Sequence, residues 1–172
     1  MGGLCRQSLR RGGICLMARI CVDAGFLIGL YDRDDQYHGV AVRQFEYLFH
    51  ENRDRNQLIA PWPILYECLG SRHAKDSRKL ILFNQRWADL YQSAQLEFLD
   101  DSPFRDQCLA EYLGEELRPL SLVDRVLRAM IVDRHRYFDF FLTYNSGDFS
   151  DACEDGAIIL INEHTSPESY GI

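Results

Sequence analysis

Four acids in this chain could be gathered by folding into one centre: Asp23, Glu67, Asp124 and Asp148. Each offers hard oxygen donors. Carboxylates held close together raise one another's pKa, and a divalent cation removes that strain. Mg²⁺ takes oxygen ligands and keeps several waters, which suits work on a phosphate. A cation so held polarises a phosphoryl oxygen and acidifies bound water, and a neighbouring carboxylate can take the proton.

Each acid also has an ordinary structural explanation. Asp23 follows an apolar run and can cap the next helix. Glu67 lies in PWPILYECLG, which has little polar face to offer; an acid in such company is buried only if paired or metal-bound. Asp124 falls three residues after Ser121, the N3 place of a helix capped by that serine, where negative charge favours the dipole. Asp148 follows Asn145, Ser146 and Gly147, which are turn formers.

The elements that must position these acids follow from hydrophobic periodicity. Residues 18–22 (ARICV) read as a short buried strand, followed by a helical turn or two. Gln36 to His50 has helical period, with Asp34 or Asp35 as a cap. Residues 58–60 form a strand stopped by Pro61. Pro61 and Pro63 suit a helix entry, and Gly70 weakens or ends that helix. Further helices are expected over 76–92, 103–113 and 121–134, and strands over 96–99, 138–143 and 157–161. A turn joins the last two strands, and a frayed polar tail follows Asn162. Short apolar strands alternating with helices imply an α/β fold: three layers, with a central, mostly parallel sheet of four to five strands. In such sheets ligands sit at the carboxyl ends of the strands, where Asp23 and Asp148 fall.

At 172 residues and 47% hydrophobic content the chain suits one domain with a full core. Its net charge of −7 argues against a general nucleic-acid coat protein but not against an enzyme with an acidic, cation-loaded centre. The six cysteines form no CxxC pair, so buried free thiols are expected in a reducing, cytoplasmic setting, not a disulfide framework or zinc site. No segment has the apolar length to span a membrane. Residues 1–16 lack a sustained apolar run and are expected to be a flexible extension, with one domain over 17–172.

Taken with their surroundings, these motifs resemble the PIN-domain ribonucleases. VDAGFLIGLYDRDDQYH resembles the family's opening, including His38; PILYECLG its second motif; LSLVDRVLRA its third; and FFLTYNSGDF its last, with Thr143, Asn145 and Asp148 in place. The match runs in family order from about Arg19 to Ile161. It is nearest to the VapC-type toxins of toxin–antitoxin pairs. It departs from them in the residues before Met17 and in Asn145, where many relatives carry Asp. The resemblance implies Mg²⁺- or Mn²⁺-dependent hydrolysis of RNA. Asp23 and Asp124 would hold the main metal, Glu67 and Asp148 would complete the cluster, and Ser121 and Thr143 would position the acids. It also implies a cognate antitoxin and a homodimer.

RNA approaching an acidic pocket needs cations at the rim. Arg72, His73, Lys75, Arg78 and Lys79 follow Glu67, and Arg125 and Arg128 follow Asp124. These could hold phosphates or simply form solvated helix faces. Trp62, Tyr66 and Trp87 could stack bases or belong to the core. Two other classes remain: a PIN scaffold that binds RNA or protein with little catalysis, and a haloacid-dehalogenase-type phosphatase. The latter needs a second Asp two residues after the first, where this chain has Gly25. No HExxH, P-loop or GxSxG pattern occurs.

Overall fold

The computed structural model describes residues 17–73, 77–113, 119–170 and 172. The expected 1–16 extension, Lys75 and the end of the helix at Gly114 lie outside them. Five strands form one all-parallel sheet in the order β3-β2-β1-β4-β5. They are β1 (Ala18–Val22), β2 (Asn56–Pro61), β3 (Leu96–Leu99), β4 (Phe140–Leu142) and β5 (Ile159–Ile161). Consecutive residues Ile20, Cys21 and Val22 are all fully buried, as are Leu58, Ile59 and Ala60. Side chains alternate between faces along a strand, so both faces are covered and the fold is α/β with helices on either side.

The helices are α1 (Ala24–Tyr31), α2 (His38–Phe45), α3 (Trp62–Glu67), α4 (Ser77–Gln92), α5 (Ser102–Tyr112), α6 (Leu122–Val132) and α7 (Ser146–Gly156). Helices α4 and α6 bury stripes at helical spacing: Phe83, Trp87 and Leu90 in α4, and Val126, Leu127, Met130 and Ile131 in α6. α1 packs on α2 and α4, and α6 packs between α5 and α7. Cys21, Cys68, Cys108 and Cys153 are buried free thiols. No helix among the described residues is long and apolar enough to cross a membrane.

Four sequence expectations need correction. The turn expected between the last two strands is helix α7, whose few apolar residues, Phe149, Ala152 and Cys153, fall on one buried face. The helix expected from Gln36 starts at His38 and is wound wider over Glu46–Glu51, where Leu48 and Phe49 are buried; Asp35 accepts a hydrogen bond from the Tyr37 amide (2.9 Å) before it. The helix holding Glu67 is not ended by Gly70 but continues in the same widened form over Cys68–His73. The tail is not frayed throughout. Asn162 Oδ1 accepts from the Thr165 hydroxyl (2.9 Å), a short 3₁₀ turn covers Pro167–Tyr170, and Ile172 packs against the core.

Two helix pairs approach closely through glycine. A Cβ at Gly29 would meet the Cβ atoms of Ala41 and Tyr37 at 3.4 Å, and one at Gly156 would lie 2.2 Å from the Ile131 carbonyl oxygen. Beside the second contact, Arg128 of α6 forms a two-pronged ion pair with Asp151 of α7 (2.6 and 2.8 Å) and also bonds the Asp148 carbonyl.

Candidate active site

The strand order reverses at β1, which has β2 on one side and β4 on the other. Crevices form at the carboxyl ends of strands where such a switch occurs. Asp23 is the residue immediately after β1, and its amide extends the ladder by donating to the Leu142 carbonyl (3.0 Å). Its side chain caps α1, with Oδ1 accepting from the Ala24 amide at 2.6 Å. Oδ2 accepts from the Thr143 hydroxyl at 2.8 Å. Thr143 directly follows β4, is fully buried, and also accepts from the Asn145 amide (3.0 Å). One threonine thus fixes both the acid and the loop that leaves β4.

Asp23 is only 8% exposed. Burial pushes its pKa up to about 6, against the pull of Thr143 and Ala24, and the nearby carboxylates Asp124 and Glu67 push it the same way. Burial and Asp124 raise the Glu67 pKa as well. Three of the four sequence-identified acids are therefore close enough to feel one another. Asp124 has the capping box expected for it: Ser121 Oγ accepts from its amide (3.1 Å) and donates to its carboxylate (2.7 Å). Asp148 stands apart. It lies in the first turn of α7, its carboxylate accepts from Asn145 Nδ2 (2.6 Å), and it is not among the charges acting on Asp23.

A cavity of about 330 Å³ opens here, lined by Asp23, Gly25, Ile28, Asp35, Tyr37, Glu67, Tyr144 and Asn145. Gly25 leaves the acid open, since even a Cβ there would stand 3.7 Å from Oδ2. Tyr37 and Tyr144 pack with ring centroids 4.6 Å apart. The Tyr144 hydroxyl donates to Gln44 Oε1, and Gln44 Nε2 donates to the Asn162 carbonyl (both 2.8 Å). His38 Nδ1 lies 2.8 Å from the Gly29 carbonyl and ties α2 to α1. The sequence did not single out Tyr37, Gln44 or Tyr144 as site residues. Their one signal is adjacency: Tyr37 precedes His38, and Tyr144 separates Thr143 from Asn145.

Oxygen-only donors carrying raised pKa values fit a hard divalent cation in chemistry. Among the described residues, however, no three His, Cys, Asp or Glu side chains already converge as a ligand set. The capping box that holds Asp124 accounts for this in part. Two cations expected at the rim are otherwise engaged: Lys79 pairs with Asp32 (2.7 Å), and Arg128 with Asp151. The Arg125 guanidinium lies over the Tyr112 ring. Trp87 is a core residue, whereas Trp62 and Tyr66 are exposed.

Replacing Thr143 by Val should test the clamp. The change removes a donor from a buried carboxylate and an acceptor from the Asn145 amide. It should lower unfolding free energy by about 1–3 kcal/mol and push the Asp23 pKa higher still. Denaturant melts check the first effect; Thr143→Ser, which keeps the hydroxyl, should recover most of the loss.

No family model matches the chain, and no curated protein matches it by sequence. Among solved structures it is similar to VapC20 of Mycobacterium tuberculosis, described as a sarcin–ricin loop cleaving toxin. That likeness has 16% identity and a TM-score of 0.55, over 77% of this chain and 94% of that one. It is also similar to VapBC2 of Rickettsia felis, solved bound to a DNA fragment from the promoter of that pair, with 16% identity and a TM-score of 0.49, over 84% of this chain and 98% of that one. The VapC20 likeness shows a shared fold, the PIN-like α/β architecture that the sequence motifs imply.

Proposed function

We propose that this chain is a metal-dependent endoribonuclease that hydrolyses RNA phosphodiester bonds and serves as the toxin of a toxin–antitoxin pair. The observation that carries the reading is the clamp on Asp23. A buried carboxylate is held at the sheet's switch point by Thr143 and the Ala24 amide, and it faces a cavity that Glu67 also lines. The toxin activity described for VapC20 supports the same reading.

Asp23, Glu67 and Asp124 would hold Mg²⁺, or Mn²⁺ in its place. When bound, the cation supplies polarisation of the phosphoryl oxygen and acidifies water. Thr143 keeps Asp23 in one orientation. Glu67, through the oxygen not taken by the cation, would orient the attacking water and accept its proton. Asn145 lines the cavity and holds Asp148 at its edge, so Asp148 serves as an outer member of the cluster. The Tyr37–Tyr144 pair walls the site against bulk water. An antitoxin and a second copy of the chain are the partners this reading entails.

The test is cleavage of total RNA by the purified protein. Cleavage should appear with Mg²⁺ or Mn²⁺ and stop with EDTA. A second reading, a PIN scaffold that binds without cutting, is favoured by the commitment of Asp124 to its capping box. Intact RNA at millimolar Mn²⁺ would select it.

A further inference from the structure

We infer that Gln44 is a positioning residue for the Asp23 centre: acting through Tyr144, it closes a ring of bonds that sets the threonine by which the acid is aimed. The inference rests on the ribonuclease reading and adds a residue to its machinery. Thr143, Tyr144 and Asn145 are consecutive, and each has a separate task. Thr143 holds Asp23, and Asn145 holds Asp148. Tyr144 is buried and fills a slot between α1 and α2. Its ring packs on Tyr37 and lies edge-on to Phe26, with centroids 6.3 Å apart. Gly29 permits the approach, since a Cβ there would already stand 3.5 Å from Tyr144 Cε2. The Tyr144 hydroxyl then meets Gln44, a polar side chain only 3% exposed. Gln44 is not among the residues lining the cavity, so any effect it has on the centre is passed through Tyr144.

The ring is complete. The Tyr144 hydroxyl donates to Gln44 Oε1 (2.8 Å), and Gln44 Nε2 donates to the Asn162 carbonyl (2.8 Å). Asn162 follows Ile161, whose carbonyl accepts from the Thr143 amide (3.0 Å), and Thr143 leads back to Tyr144. The Gln44 amide has one orientation in this ring. A carbonyl only accepts, so Nε2 must face Asn162 and Oε1 must face the phenol. Burial and the facing carboxylates of Glu163 and Asp35 push the Tyr144 pKa up, against the pull of Arg43. The phenol therefore keeps its proton and stays the donor. Asn162 is itself held: its amide donates to the Thr165 hydroxyl (3.1 Å), and its Oδ1 accepts from the His164 amide (3.0 Å). Without the Gln44 bridge, the loop leaving β4 keeps its ladder bond but loses the tie on Tyr144. A small rotation there carries the Thr143 hydroxyl off Asp23, and misplacement from a site remote from the chemistry is costly to rate.

Tyr144→Phe and Gln44→Met each break the ring and strand a buried polar group; the double variant removes both partners of one bond. Melting temperature should fall in each single variant and largely recover in the double, because an unpaired group costs more than a missing pair. Cleavage should not follow that recovery. On a transcript spanning the wild type's cleavage site, kcat should drop roughly 10- to 100-fold in all three variants. KM should stay near its native value, since no contact with RNA is removed. Hydrogen exchange supplies a readout free of catalysis. The Asn145 amide, which donates to the Thr143 hydroxyl oxygen, should lose protection in all three variants while the amides of β1 keep theirs. A double variant that regains kcat along with its melting temperature would make Gln44 merely structural and overturn the inference. So would a loss confined to KM, or native protection at Asn145. A wild type that cuts no RNA defeats the nuclease reading, and the Asn145 amide then decides the ring on its own.

Discussion

Asp23→Asn should reduce RNA cleavage by about three orders of magnitude or more and, at neutral pH, make the protein more stable. The two effects share one cause. Asp23 is a carboxylate buried at the switch point, with a folded pKa of about 6 against an ordinary value of 3.8. A raised carboxyl pKa means that the folded state prefers the protonated form. Its contribution is therefore most favourable below about pH 4, is lost as pH rises through about 6, and stays lost above that. The shift of about two pKa units corresponds to roughly 3 kcal/mol. Asn keeps one oxygen to accept from the Ala24 amide, its NH2 group can donate to the Thr143 hydroxyl oxygen in place of accepting from it, and it carries no charge to desolvate. Stability curves of the two proteins should coincide near pH 4 and diverge in favour of the variant up to pH 7. Mn²⁺ should raise the melting temperature of the wild type and leave that of the variant in place. A variant that cuts RNA at the native rate would remove Asp23 from the chemistry.

Gly156→Ala should cost about 3 kcal/mol of unfolding free energy. The added methyl would be placed 2.2 Å from the Ile131 carbonyl oxygen. That obstacle is backbone, so no rotamer change relieves it, and α7 must move off α6. The movement would strain the Arg128–Asp151 pair and shift the start of α7, with Asn145 at its cap and Asp148 in its first turn. Gly147→Ala is the matched control. A Cβ there meets nothing within 4 Å, and a helical Gly→Ala change should gain roughly 0.5 kcal/mol. Urea melts of both variants check the pair; equal stabilities would mean that the helices can part without cost.

The sheet was legible in the sequence because buried parallel strands read as short apolar runs, and all five lie where such runs occur. Asp23 is legible as a cap and Asp124 as the N3 partner of the Ser121 cap, and each holds that place. The failures have a common physical source. Helix α7 has the sequence SGDFSDACEDG, whose acids and glycines mask a three-residue apolar stripe; tertiary packing, not propensity, makes it helical. Asp148 was accordingly assigned to a turn at a strand end, whereas the helix turns its carboxylate toward Asn145. The widened turns after Phe45 and Glu67 leave no local signature, because they depend on what the helix meets downstream. Tyr144 and Gln44 meet across 100 residues of sequence, a separation no window of periodicity spans.

The hydroxyl that holds Asp23 arrives 120 residues after it. During synthesis, β1, β2 and β3 can pair while the far side of β1 is still bare, since β4 has yet to leave the ribosome. Until residues 140–143 emerge, the acid at the end of β1 has no threonine to orient it and no loop beside it to close the cavity. Order of translation thus acts as a timer: a nascent or prematurely ended chain carries Asp23 and Glu67 without the part that aims the first of them. That delay separates the emergence of Asp23 from the completion of the clamp that orients it.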